Sequence, residues 1–416
     1  MSSPAPALDR LPDALQIKIY RNLKDKDLFS LSVVNKGVSR IARPRLYLKS
    51  VLTIPRKEKP TPDIWSHRWS KKQQNRYCKT LKKHPELGER AHSLYLTISQ
   101  QGFGTSESTK EEEDTATINQ VVAAIQSLSK LKYLHVFQNR NIAFPKALLD
   151  SLPRSLIVVD LSRSSLSDDH CLELLNSLPL LECLKAQIVP EANKPSYPPL
   201  YHSNLEGLAI DLEQISTTFF RAITHDVPLL TTFETDFPGL LVMKGSPFLR
   251  RLKSLFIVGK QMMVIEREVS AYVDSLVSIL SECPVLEHFA IHALYEAGID
   301  QYITIAIEQL DIFQHIPPSV TSFEICGFLC KSTYLLSTIT RLAPQLERLK
   351  ISTVYPIEEE TRHFIRGTVP DKAMEGEVKR ICKENGVKYV YRDIEKEHEA
   401  KRKMKARNGR GDCRIA

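Results

Sequence analysis

The chain has 416 residues, 42% hydrophobic and 25% charged, with 15 Gly against 24 Pro. These are the proportions of a folded globular chain, and they exclude the apolar-poor composition of disorder and the Gly-rich patterns of collagen or flexible linkers. Lys and Arg number 57 against 49 Asp and Glu, a formal charge of +8 whose distribution says more than its sum.

Residues 1–7 read as a flexible start, and MSSPAPALDRLPD has no apolar secretory stretch, so the chain is expected in the cytoplasm or nucleus. From 8 to 50 the spacing predicts three short helices. Pro12 sits where a first-turn proline is tolerated, and Leu11, Leu15, Ile19 and Leu23 recur every four residues behind it. Asp25 or Asp27 can cap a second helix carrying Leu28, Leu31 and Val34, and a third brings Val38 and Ile41 before Pro44. About 40 residues bury too little surface to be comfortable alone, so a partner or the rest of the chain should cover this module.

The order L-P-x-x-L-x-x-x-I-x-x-x-L, then D-L-x-x-L-x-x-V, then V-x-x-I and L-Y, matched at positions 11 to 47, resembles the F-box. Ala14, Asn35 and Val38 stand where that family often has Glu, Cys and Trp. The resemblance implies that Leu11, Pro12, Leu15, Ile19, Leu28, Leu31 and Val34 bind the Skp adaptor, and through it cullin and a RING subunit.

Residues 51–85 read as a basic linker helix region. From Arg56 to Arg90 there are 11 basic residues against four acids, so nearly the whole formal charge is concentrated here, beside the only two tryptophans, Trp65 and Trp69. The plainer reading is a helix whose aromatics dock and whose cations are solvated. The sharper one is an anionic partner surface, although two aromatics among basic residues match no nucleic-acid motif. The polar run at 99 to 114 is expected as an exposed loop. The longest stretch free of charge, Thr115 to Ser129, is 15 residues and too polar to span a bilayer, so no membrane partner is expected.

From 86 to 394 a cassette of the form apolar-x-x-apolar-x-apolar recurs: LKYLHV at 131, LIVVDL at 156, LECLKA at 181, LEGLAI at 205, LTTFET at 230, LKSLFI at 252, LEHFAI at 286, VTSFEI at 320 and LERLKI at 346. Successive cassettes start 25, 25, 24, 25, 22, 34, 34 and 26 residues apart, and AHSLYL at 91 reads as a degenerate earlier unit. Between cassettes the pattern turns helical and stops at Pro, as where Leu172, Leu175 and Leu178 precede Pro179 behind a Ser167 cap. Each unit reads as helix, turn, strand, and one unit cannot bury its own apolar face. The spacing resembles irregular leucine-rich repeats. The Asn or Cys of that family's consensus, three residues past the strand's last apolar position, is present only at Asn139. PEANKPSYPPLYHSN at 190 to 204 is expected as a second exposed loop, and AMEGEVKRICKENG as a closing helix before a last strand, Val387 to Tyr391.

Residues 395–416 form a basic tail in which KRKMKAR at 401 to 407 reads equally as a nuclear localisation signal or a solvated run. The eight Cys lack disulfide spacing and are expected as reduced, mostly buried thiols. CGFLC at 326 to 330 has no second Cys or His pair at zinc-site distance and reads as packed thiols, while His288 and His292 share one exposed face of a strand. No metal, cofactor or catalytic residue is indicated, since no nucleophile elbow, phosphate-binding loop or H-E-x-x-H occurs. The expected fold is α/β, a small three-helix F-box followed by an irregular leucine-rich-repeat-like solenoid. The two resemblances together imply a non-enzymatic substrate receptor of a Skp-cullin-F-box ubiquitin ligase with an unspecified protein target. The alternative is a nucleic-acid or chromatin binder using the basic patches, with nucleic acid the less favoured partner.

Overall fold

The computed structural model describes residues 19, 49–54, 71–98, 118–138, 142–189, 196–211, 216–259, 266–293, 311–326, 332–353 and 372–393. It is an α/β protein built from parallel strands with helices between them. The chain divides into two compact units, the first ending at Asn193 and taking in His202–Leu205, the second comprising Lys194–Tyr201 and everything from Glu206.

The first unit holds β1 (Lys49–Ile54), β2 (Ser93–Ile98), β3 (Tyr133–Gln138), β4 (Ile142–Ala143), β5 (Val158–Ser167) and β6 (Cys183–Val189). All pairings are parallel, in the order β1-β2-β3-β5-β6 with β4 beside β5. A parallel neighbour requires a crossover, and the helices Lys71–Lys83, 118–126 and Asp168–Ser177 lie on those return paths. Lys49 and Ser50, expected at the end of the three-helix module, and residues 51–54, expected in the basic linker helix region, form β1, while Lys71–Lys83 is helical. In that helix Tyr77, Cys78 and Leu81 are buried, while Arg76, Lys79, Lys82 and Lys83 are exposed.

Alternation along β2 buries Leu94, Leu96 and Ile98 and leaves Ser93, Tyr95 and Thr97 on the other face. Register then aligns Leu94, Leu134, Val159 and Leu184 as one fully buried row across four strands. Burying each such side chain contributes about 2 kcal/mol, so the row fixes the register as well as the core. Ser167 caps its helix as expected, its hydroxyl accepting from the amide of His170 at 3.3 Å. Gly88 is required by close approach: a Cβ there would lie 2.1 Å from the carbonyl oxygen of Ser127.

The second unit holds β7 (Gly207–Asp211), β8 (Thr232–Thr235), β9 (Ser254–Gly259), β10 (His288–Ala293), β11 (Ser322–Cys326), β12 (Arg348–Thr353) and β13 (Lys388–Asp393), parallel and paired in chain order. Helices Thr217–Ile223, Phe237–Met243, Glu266–Ser281, Ser332–Leu342 and Lys372–Glu384 alternate with them. Among the described residues, the two 34-residue spacings carry the helix Glu266–Ser281 and a 3-10 turn, Asp311–His315. Arg341 braces that turn, donating to the carbonyls of Phe313 at 2.7 Å and Ile316 at 3.0 Å. Phe220, Phe233 and Phe248 cluster with ring centres 5.3 to 6.3 Å apart, and Phe289 stacks on Phe323 at 5.9 Å. Gly386, at φ +71°, ends the closing helix where the left-handed backbone favours glycine.

Each of the nine cassettes starts its strand at its third residue, and so does AHSLYL. Their first residues are buried throughout, Ala91, Leu131, Leu156, Leu181, Leu205, Leu230, Leu252, Leu286, Val320 and Leu346. Three features go beyond the sequence reading. β5 does not stop at Leu161: its register shifts between Leu161 and Ser165, and the extra length pairs with β4. The stretch 196–204 is irregular and mostly exposed, as expected of a loop, but Leu200 and His202 anchor it: both are buried, and Nε2 of His202 lies 3.1 Å from the carbonyl oxygen of Leu178. Finally, of the residues standing at the consensus Asn position, Ser164 has its hydroxyl buried without a partner and Val189 is exposed.

Candidate functional site

Because alternate strand residues are committed to the core, the third and fifth positions of each cassette share the opposite, open face. In the first unit the fifth positions align Tyr95, His135, Asp160 and Lys185 in one row, with Tyr133 in the third-position row beside it. The Tyr95 and His135 rings stack at 4.9 Å and 15°, and Nδ1 of His135 lies 3.5 Å from Oδ2 of Asp160. This is an aromatic face with one carboxylate held beside an imidazole.

In the second unit the open face is charged. Glu324 on β11 faces His292 on β10, Nε2 to Oε1 at 3.0 Å, and Lys350 on β12 meets the same carboxylate. The three side chains are only 20 to 23% exposed. The approach of His292 falls outside hydrogen-bond alignment, leaving Nε2 without a partner. Burial pushes the imidazole below its ordinary pKa of 6.5; Glu324 and, further off, Glu234 oppose this, and Lys350 adds to it. His292 is therefore neutral at pH 7. At the strands' starting ends His288, Ser322, Arg348 and Lys388 form a second row in direct register. Arg348 and Lys388 are exposed, and among the described residues neither has an acid within ion-pair distance.

Of the residues expected to bind the adaptor, Leu11, Pro12, Leu15, Leu28, Leu31 and Val34 lie outside the described residues; Ile19 is helical and 41% exposed. Trp65, Trp69, Asn139, Cys330 and residues 401–407 also lie outside them, while Cys326 ends β11. Buried, unpaired thiols occur at Cys78, Cys171, Cys283 and Cys382, with desolvation pushing Cys171 and Cys283 up to about 12. His288 is exposed as expected, but His292 is only partly so, with Glu324 beside it. The open-face rows were missed at the sequence level, although listing the third and fifth letters of each cassette would have found them. No helix among the described residues is long and apolar enough to cross a membrane. No protein-family model matches the chain, and no curated protein matches it.

Proposed function

We propose that this chain is the substrate-recognition subunit of a Skp-cullin-F-box type ubiquitin ligase. In this reading the F-box expected over residues 8–50, the last two of which lie in β1, holds the Skp adaptor, and the irregular leucine-rich-repeat-like solenoid of residues 86–394 holds the target. The observation that carries it is the constant two-residue offset between cassette and strand, with strands joined to their sequence neighbours in each unit, downstream of an F-box-like order of apolar residues. Repeats of that kind expose one strand residue in two on a continuous face, which suits protein recognition and needs no chemistry of its own. Ile19, exposed on its helix, has the character of an interface anchor. The reading puts the protein's work in the cytoplasm or nucleus.

The test is a pull-down with purified Skp adaptor. Leu11→Ala with Pro12→Ala removes an apolar anchor and the preset helix start. At about 2 kcal/mol per anchor, the pair should weaken binding up to roughly a thousandfold, with circular dichroism unchanged. Wild-type binding by the folded double mutant, or no binding by the wild type, would overturn the reading and favour a nucleic-acid binder instead.

A further inference from the structure

Like charges directly opposite on neighbouring strands are destabilising, and some cations of this unit have an acid beside them. Lys350 is paired with Glu324, Lys253 with Glu287 at 3.0 Å, and Arg380 with Glu377 and Glu384. Arg348 and Lys388 instead form a like-charge pair. They are register partners on β12 and β13, both are exposed, and no acid among the described residues pairs with either, Glu347 at the preceding turn included. Ser322 and His288 continue their row with a hydroxyl and an imidazole.

We propose that the open face of β10 to β13 binds an acidic, carboxylate-bearing segment of a protein partner, anchored on Arg348 and Lys388. The proposal rests on reading the strand face as the recognition surface and adds the chemistry of what is recognised. Adjacent strands lie about 4.8 Å apart, so one carboxylate can meet both cations, with the Arg348 fork offering two parallel donors. Ser322 supplies a neutral donor beside that anchor, and four strands span roughly 14 Å, the reach of a short extended segment. A nucleic-acid backbone fits less well, since it typically engages roughly 6 to 10 phosphates and this row offers two fixed charges.

The experiment uses the full-length chain and a fluorescein-labelled peptide of six Glu-Ser repeats, followed by anisotropy. The wild type should bind it, and a Gln-Ser peptide should not bind. Arg348→Glu with Lys388→Glu should raise Kd by about tenfold or more, whereas Lys82→Glu with Lys83→Glu, equal in charge change but on the helix Lys71–Lys83, should change it less than about twofold. If the reversal disturbs folding by circular dichroism, Arg348→Gln with Lys388→Gln should still weaken binding by about threefold or more. Absence of wild-type binding, equal losses in the two reversed pairs, or a 20-base-pair DNA duplex displacing the peptide from the wild type but not binding the Arg348/Lys388 variant would overturn the proposal. The adaptor pull-down on the same preparations separates this from the ligase reading, because its failure leaves the peptide result standing.

Discussion

The hydroxyl of Ser155 donates to the carbonyls of Ser129 and Leu131, at 2.9 and 2.8 Å, reaching back one whole repeat. Ser155 stands immediately before the first residue of its cassette, and the same place is used again. Asn204 donates to the carbonyl of Pro179 at 2.8 Å, Arg251 to that of Val227 at 3.1 Å and Ser319 to that of Leu286 at 2.8 Å. Beside this ladder the backbone repeats its own motif: one carbonyl accepts from the amides of the second and third cassette residues of the next unit, as His92 does from Lys132 and Tyr133, and Glu287 from Thr321 and Ser322. The polar rungs thus precede the strands, satisfying turn carbonyls that would otherwise lack partners. Where the position is apolar, at Leu180, Leu229 and Val285, the side chain is instead 44 to 52% exposed.

Ser155→Ala and Asn204→Ala should each cost about 1 kcal/mol of stability, the net worth of an intramolecular hydrogen bond, measured by urea denaturation. Leu180→Ser, at the equivalent position without a rung, should stay within about 0.5 kcal/mol of wild type. Equal effects at all three positions would mean that the rungs carry no stability.

Gly88→Ala should destabilise more than either. Its Cβ would meet the Ser127 carbonyl carbon at 2.9 Å as well as the oxygen at 2.1 Å, so backbone rather than a flexible side chain must yield. Overpacking of that kind costs about 1 to 3 kcal/mol or more. A melting temperature equal to wild type would show that the helix Pro85–Gly88 moves away from residue 127 without cost.

The strands were legible because a buried row demands an apolar residue at a fixed step, and Leu134, Val159 and Leu184 declare it locally. Helix ends were legible for the same reason at Ser167 and Gly386, where capping chemistry is written within three residues. The rungs were not, since the carbonyl that Asn204 finds lies 25 residues away and any turn Asn looks alike in sequence. The continuation of β5 past Leu161 was hidden as well, because RSSLS lacks strand alternation and is held by pairing of Ser164 with Ile142. The charged face fared likewise: His288 and His292 stood out as a pair, but what decides the state of His292 is Glu324 and Lys350, contributed by two later repeats.

That environment gives the second unit a pH dependence whose sign follows from burial. His292 has a folded pKa below its ordinary 6.5, with desolvation the main cause. Above pH 6.5 the imidazole is neutral in both folded and unfolded chains, and its contribution to stability is fully present. As the pH falls through the window between 6.5 and the lower folded value, the unfolded chain takes up the proton first and stability declines, levelling off once the folded form is protonated too. Other histidines titrate in the same range, so the informative quantity is the difference between the wild type and His292→Gln, which removes the titration while keeping a polar side chain. Thermal melts at pH 7.5 and 5.5 should show a smaller drop for His292→Gln than for the wild type. Glu324→Gln, by removing the carboxylate that favours the imidazolium, should enlarge the drop. An identical loss for the wild type and His292→Gln would show that protonation of this side chain is not linked to folding.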